Sequence, residues 1–250
     1  MTSHPERNRT LSHSSPDRLP SSWQRLLALS GVAFGLLFLV AWFASGGDAP
    51  DYAAADQEWT DWAADNRWRS RIGGFLMLLA GFLFLHFAGT IRSVLGSAES
   101  TGRDSAQLAR TAFAGAITGM AGMSMAIVII ASATSEGADA DPVVTRAVAT
   151  ASAGPFLVSA MGFAALLMAA GLLTLRTGVF ARWTGFVALL GALSFLIAFL
   201  TLIAGLGEDS VFGFGFFPGV LALVIWSIAT SIARYRAVAT PDLLANEAGT

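Results

Sequence analysis

The sequence predicts an all-α polytopic membrane protein of six transmembrane helices, with an outer interfacial amphipathic helix between the first and second spans. Three observations predict it. Hydrophobic residues make up 54% of the 250-residue chain and charged residues 13%, where a soluble domain carries about 25% charge. Mean hydropathy is +0.62. Six runs free of Asp, Glu, Lys and Arg reach the roughly 20 residues that cross a hydrocarbon core of about 30 Å at about 1.5 Å per residue. Period-2 alternation is absent from these runs, which makes them helices rather than barrel strands.

Taken in order, residues 1–22 mix Ser, Pro, His, Arg and Asn without apolar periodicity and are expected to form a disordered tail. The six-span domain is then expected over residues 23–236. Its first run, Leu26 to Ala44, is longer than the apolar core of a secretory signal and follows about 25 polar residues, so it is expected to be a retained span. From Pro50 to Asn66, Tyr52, Ala55, Trp59, Trp62, Ala63 and Asn66 recur at helical spacing, with Glu58, Asp61 and Asp65 on a neighbouring face. Trp prefers the headgroup level, so Trp59 and Trp62, joined by Trp68 and Arg69, are expected to lay this helix on the membrane surface. The remaining runs are Ile72 to Ile91, Thr111 to Ala133, Gly154 to Leu175, Trp183 to Leu206 and Val211 to Ala233. Loops are expected from Arg92 to Arg110 and from Thr134 to Ser152, and a second disordered tail over residues 237–250.

Orientation follows from the arginines, since positive charge is retained on the cytoplasmic side. With the N-terminus inside, the inner set is Arg7, Arg9, Arg18, Arg25, Arg92, Arg103, Arg110, Arg176, Arg182, Arg234 and Arg236; only Arg67, Arg69, Arg71 and Arg146 lie outside. Both termini are therefore expected in the cytoplasm. All 15 basic residues are Arg, and Ala and Gly are abundant, the usage of a GC-rich bacterial genome, which places the expected location in a bacterial cytoplasmic membrane.

Composition also excludes chemistry. Without Lys there is no Schiff-base amine and no P-loop lysine. Without Cys there is no thiolate nucleophile, iron–sulfur ligation or c-type haem attachment. A formal net charge of -2 argues against a nucleic-acid binder. The expected spans hold no Asp or Glu, no H-E-x-x-H and no G-x-S-x-G, so no catalytic residue, metal site or cofactor is assigned, and an enzyme stays open only if Glu58, Asp61, Glu136, Asp139 and Glu208 gather near one outer pocket.

The candidate ligand-binding residues are few. His86 is the one ionisable side chain in an apolar run, about 9 Å from the end of its helix if it rises 1.5 Å per residue; it can relay protons, ligate a metal or simply pack near the interface. Glu58, Asp61 and Asp65 can collect a cation, or stand solvated. Pro218, among Gly213, Gly215 and Gly219, can break the last span where transporters place binding sites, or act as an entry kink. Gly115, Gly119 and Gly122, with Gly31 and Gly35 on the first span, are small-residue stripes suited to packing within the chain or between copies. Together with Trp59 and Trp62 they are the candidate interface residues.

The second and fifth spans share a faint repeat, GFLMLLAGFLFL over Gly74 to Leu85 and GFVALLGALSFL over Gly185 to Leu196, as an inverted three-plus-three pair would. The strings WAADNRWRSRIGGFL (Trp62 to Leu76), HFAGTIRSVL (His86 to Leu95) and LRTGVFARWTGFVALLG (Leu175 to Gly191) resemble a bacterial family of six-span membrane proteins carrying a domain of unknown function, from Leu26 to Arg236. That resemblance implies architecture and assigns no catalytic residue. The sequence thus points to a membrane protein that binds or passes a small or lipophilic ligand between its helices, with a non-catalytic scaffold as the alternative. Its expected partners are the lipid bilayer and another copy or a membrane protein.

Overall fold

The computed structural model describes residues 21–45, 49–99, 106–136, 141–204 and 212–247, and every regular element among them is a helix. In chain order these are α1 (Ser21–Ala28), α2 (Ser30–Ala44), α3 (Asp56–Asp65), α4 (Arg67–Glu99), α5 (Gln107–Glu136), α6 (Pro142–Ala151), α7 (Ala153–Thr177), α8 (Arg182–Ala198), α9 (Thr201–Ala204) and α10 (Phe212–Glu247). Five stretches are long and apolar enough to cross a membrane: Arg67–Glu99, Gln107–Thr134, Pro142–Thr177, Arg182–Ala204 and Gly215–Ala239. The first apolar run differs from expectation. It forms two helices, and the apolar one, Ser30–Ala44, has 15 residues.

Neighbours in sequence are neighbours in space. α2 packs on α4, α4 on α5, α5 on α7, α7 on α8 and α8 on α10, and α10 returns to α2. The ring closes without an open centre, because phenylalanines from opposite walls meet in it. Phe84 of α4 lies 4.8 Å from Phe34 of α2 and 5.8 Å from Phe163 of α7. Phe163 in turn lies 5.7 Å from Phe195 of α8, which is 5.7 Å from Phe216 of α10. In lipid no hydrophobic force separates helix from solvent, so association depends on such close van der Waals packing.

Glycines set how closely the backbones approach. A Cβ on Gly115 would stand 2.6 Å from the Gly162 carbonyl oxygen, and one on Gly122 2.6 Å from the Ser159 nitrogen. The α5 stripe is therefore consumed by α7. Gly31 and Gly35 of α2 do the same against Phe87 and Ile228, at 2.6 and 2.8 Å. The repeat strings present matching faces: Gly74, Met77, Ala80, Gly81 and Phe84 are buried on α4, and their counterparts Gly185, Ala188, Gly191, Ala192 and Phe195 are buried on α8.

The outside of the bundle is as apolar as its inside. Leu36 and Phe43 on α2, Phe75 and Phe82 on α4, Phe186 and Leu190 on α8, and Leu221 on α10 are all exposed. A soluble protein does not display so continuous a belt.

Three boundaries depart from the sequence reading. α4 continues to Glu99, into the expected loop from Arg92, and the Glu99 carboxylate accepts the Leu108 and Ala109 backbone N–H groups at 3.0 and 2.9 Å. That contact satisfies two of the unpaired donors that open α5. The expected loop from Thr134 to Ser152 contains α6, started by Asp141, whose Oδ1 accepts the Val143 N–H at 2.9 Å, and by Pro142 at the first helical position. The last helix continues to Glu247, past the Ala237 where a tail was expected, through the helix-favouring Ala, Leu and Glu of that segment. The expected N-terminal tail lies, up to residue 20, outside the described residues.

Candidate functional site

The α3 end of the bundle is a fastened cap. Trp59 is 3% exposed, packed with Ala133 of α5 and Ala149 of α6, and its Nε1 donates to the Asp51 carbonyl at 3.1 Å. The Tyr52 ring stacks at 6.2 Å and the Trp62 ring meets it edge-on at 5.8 Å. Arg146 of α6 donates to Asp56 Oδ1 at 2.9 Å and to the Tyr52 carbonyl at 3.4 Å. Burial raises the Tyr52 phenol above 10.0, with the Ser152 hydrogen bond opposing and the nearby Asp51 charge adding to it. Trp59 is thus covered by its own chain instead of lying on the membrane surface; Trp68, 70% exposed with Arg71 at 5.6 Å over its ring, has the exposure of an interfacial anchor. Glu58, Asp61 and Asp65 face outward, and Asp61 accepts from Gln57 Nε2 at 2.8 Å. Among the described residues no three His, Cys, Asp or Glu side chains gather as a metal site would require. Of the further carboxylates that an enzyme site at this end would draw on, Glu136 closes α5, while Asp139 and Glu208 lie outside the described residues.

Pro218 is exposed and lies inside α10, which continues unbroken around it. Gly115, Gly119 and Gly122 meet α7, with a Gly119 Cβ placed 2.5 Å from the Phe163 ring. Of the interface candidates, the α5 glycine stripe and Trp59 are buried within the chain, and Trp62 is half-buried against the Trp59 cluster.

His86 also points away from the core. Its side chain is exposed, Nδ1 donates to the Phe82 carbonyl at 3.0 Å, and its ring lies 4.6 Å from that of Phe82. Ionisable groups at membrane depth ordinarily face a bundle interior, so this direction is informative. At helical spacing the same face of α4 carries Thr90, Ser93 and Ser97, interleaved with Gly89 and Gly96. The hydroxyls of Thr90, Ser93 and Ser97 each donate back to the carbonyl four residues earlier. The face therefore descends from polar at the helix end to apolar at Phe82.

Beside this face an open groove of about 540 Å³ lies between the C-terminal end of α4 and the start of α5, lined by Gly89, Arg92, Ser93, Gly96, Ser97, Ala106 and Phe113. The Arg92 guanidinium covers the Phe113 ring at 4.8 Å. The same two residues also line a small cavity of about 10 Å³, with Phe87, Leu166 and Trp226 among its other walls, enough for about one water. Trp226 is 0% exposed and its Nε1 has no hydrogen-bond partner, a state that buried donors rarely keep without reason. The groove escaped the sequence reading because its floor lay in a presumed loop; the i, i+4 spacing of Gly89, Ser93 and Ser97 was the available signal.

Fold and surface together define an integral membrane helical bundle. No protein-family model, curated protein or solved structure matches the chain.

Proposed function

We propose that the protein is a six-span bacterial inner-membrane protein with both termini in the cytoplasm, which binds an amphiphilic, lipid-like molecule in the groove between the inner ends of α4 and α5. The observation that carries this reading is the polar stripe on α4: His86, Ser93 and Ser97 stand exposed and Thr90 half-buried, beyond Phe82 and beside the open groove. The three hydroxyls and His86 Nδ1 already bond the carbonyls four residues back, so a covering molecule gains by matching the polarity of the face rather than by supplying missing partners. An amphiphile does so, with its head at the helix end and its tail along Phe82.

A sixth crossing is supported by the near-continuity of α1 and α2. Leu29 N–H bonds to Arg25 and Leu26 carbonyls, and Ala33 N–H to Leu29, so the stretch from Ser21 to Ala44 extends about 35 Å at 1.5 Å per residue. The arginine distribution supports the orientation, and the matched faces of α4 and α8 support the inverted repeat. The family resemblance of the three sequence strings is carried as part of this proposal. Passage of a solute through the centre is not part of it, because Phe34, Phe84, Phe163 and Phe195 fill that space.

Native mass spectrometry of the protein released from lipid nanodiscs tests the reading. A monomer retaining one lipid-sized molecule supports it. A ligand-free dimer or a hetero-complex would replace it with the scaffold reading, in which another chain covers the stripe.

A further inference from the structure

The geometry points to the headgroup of an anionic phospholipid as the ligand of this groove, with Arg92 recognising its phosphate. This rests on the amphiphile reading above and names the molecule. Arg92 is exposed at the groove, and no carboxylate of the described residues pairs with it; its one neighbour of note is the Phe113 ring at 4.8 Å. A guanidinium offers a planar fork that matches two phosphate oxygens, and it keeps its charge in a low-dielectric interface. Basic clefts between helices at headgroup level attract anionic lipids for this reason.

The glycines of α4 bear on the shape of the groove. Gly73 and Gly81 are required by packing, since a Cβ there would lie 2.5 Å from Ser45 and 2.8 Å from the Met120 sulfur. Gly89 is not: a Cβ there meets nothing within 4 Å, and one on Gly96 meets only Ala109 Cβ, at 4.0 Å. Packing within the chain leaves these two positions open to larger side chains, and both line the groove. Trp226, whose buried indole N–H has no partner, lines the small cavity whose walls also include Arg92 and Phe113.

The full-length protein in detergent, titrated with phosphatidylglycerol and with phosphatidylcholine of the same acyl chains and read by native mass spectrometry, tests the assignment. The wild type is expected to favour phosphatidylglycerol by roughly fivefold, the effect of one Arg near a lipid surface. Arg92→Gln is expected to bring the ratio to one while still retaining lipid. Gly89→Leu, whose side chain enters open space, is expected to unfold at the wild-type temperature and to lose both lipids. Equal retention by the wild type, or a preference that survives in Arg92→Gln, overturns the headgroup assignment and leaves the amphiphile reading intact. Full retention in Gly89→Leu overturns the location. Displacement of the lipid by inorganic phosphate alone overturns the lipid in favour of a free anion. Loss of both lipids from the wild type overturns this assignment and the amphiphile reading together.

Discussion

The Arg146 guanidinium donates to the Asp56 carboxylate at 2.9 Å and so ties α6 to α3. Each side chain is 37% exposed, so solvent screens the pair and its contribution is expected below about 1 kcal/mol. Trp59 is buried and anchors the same cap by area. Trp59→Ala is therefore expected to cost about 3–5 kcal/mol, several times the effect of Arg146→Ala, when the two variants are unfolded side by side in detergent.

The cap is also expected to respond to alkali. The Tyr52 phenol is raised above 10.0, chiefly by burial. A group with a raised folded-state value contributes its full stability below the unfolded value and loses it as pH rises through the folded one. Tryptophan fluorescence from Trp59 and Trp62 is accordingly expected to stay constant up to pH 10 and to change above it, and Tyr52→Phe is expected to remove that change. A transition that persists in Tyr52→Phe assigns it to another group.

The helices were legible in the sequence because apolar runs of bilayer length have few other solutions. Their faces were less so. Periodicity correctly grouped Trp59, Ala63 and Asn66 on one side of α3, yet it could not say whether that side meets lipid or protein; α6, the element that covers it, is only ten residues long and interrupted by Arg146. His86 was legible as an ionisable residue at membrane depth. Its outward direction depends on the rotation of α4, which is fixed by the contacts of Gly73, Gly81 and Phe84 with three different elements and is not contained in local spacing.

Glycine substitutions separate packing from hollow space. Gly162→Ala is expected to be strongly destabilising, because its Cβ would meet the Gly119 backbone, which has no flexible end to move aside. Gly154→Ala meets nothing within 4 Å and is expected to gain roughly 0.5–1 kcal/mol from helix propensity. Thermal unfolding in detergent checks both, and similar midpoints for the two variants would contradict the α5–α7 contact.

Glu99 caps the start of α5 beside the groove. The residue is 8% exposed, and its carboxylate holds the half-buried Leu108 and buried Ala109 N–H groups, so Glu99→Ala is expected to cost about 1–3 kcal/mol by leaving them unpaired. Hydrogen exchange at Leu108 and Ala109 is expected to accelerate while the centre of α7 stays protected. Unchanged exchange at those two amides would contradict the cap.

Location of the bound amphiphile tests the account most directly. A phospholipid bearing a photoreactive acyl chain, cross-linked to the protein in nanodiscs and mapped by peptide mass spectrometry, is predicted to mark α4 between Phe82 and Ser97 together with Phe113. Even labelling of the exposed belt, with Phe186, Leu190 and Leu221 marked as strongly as the groove, would contradict it.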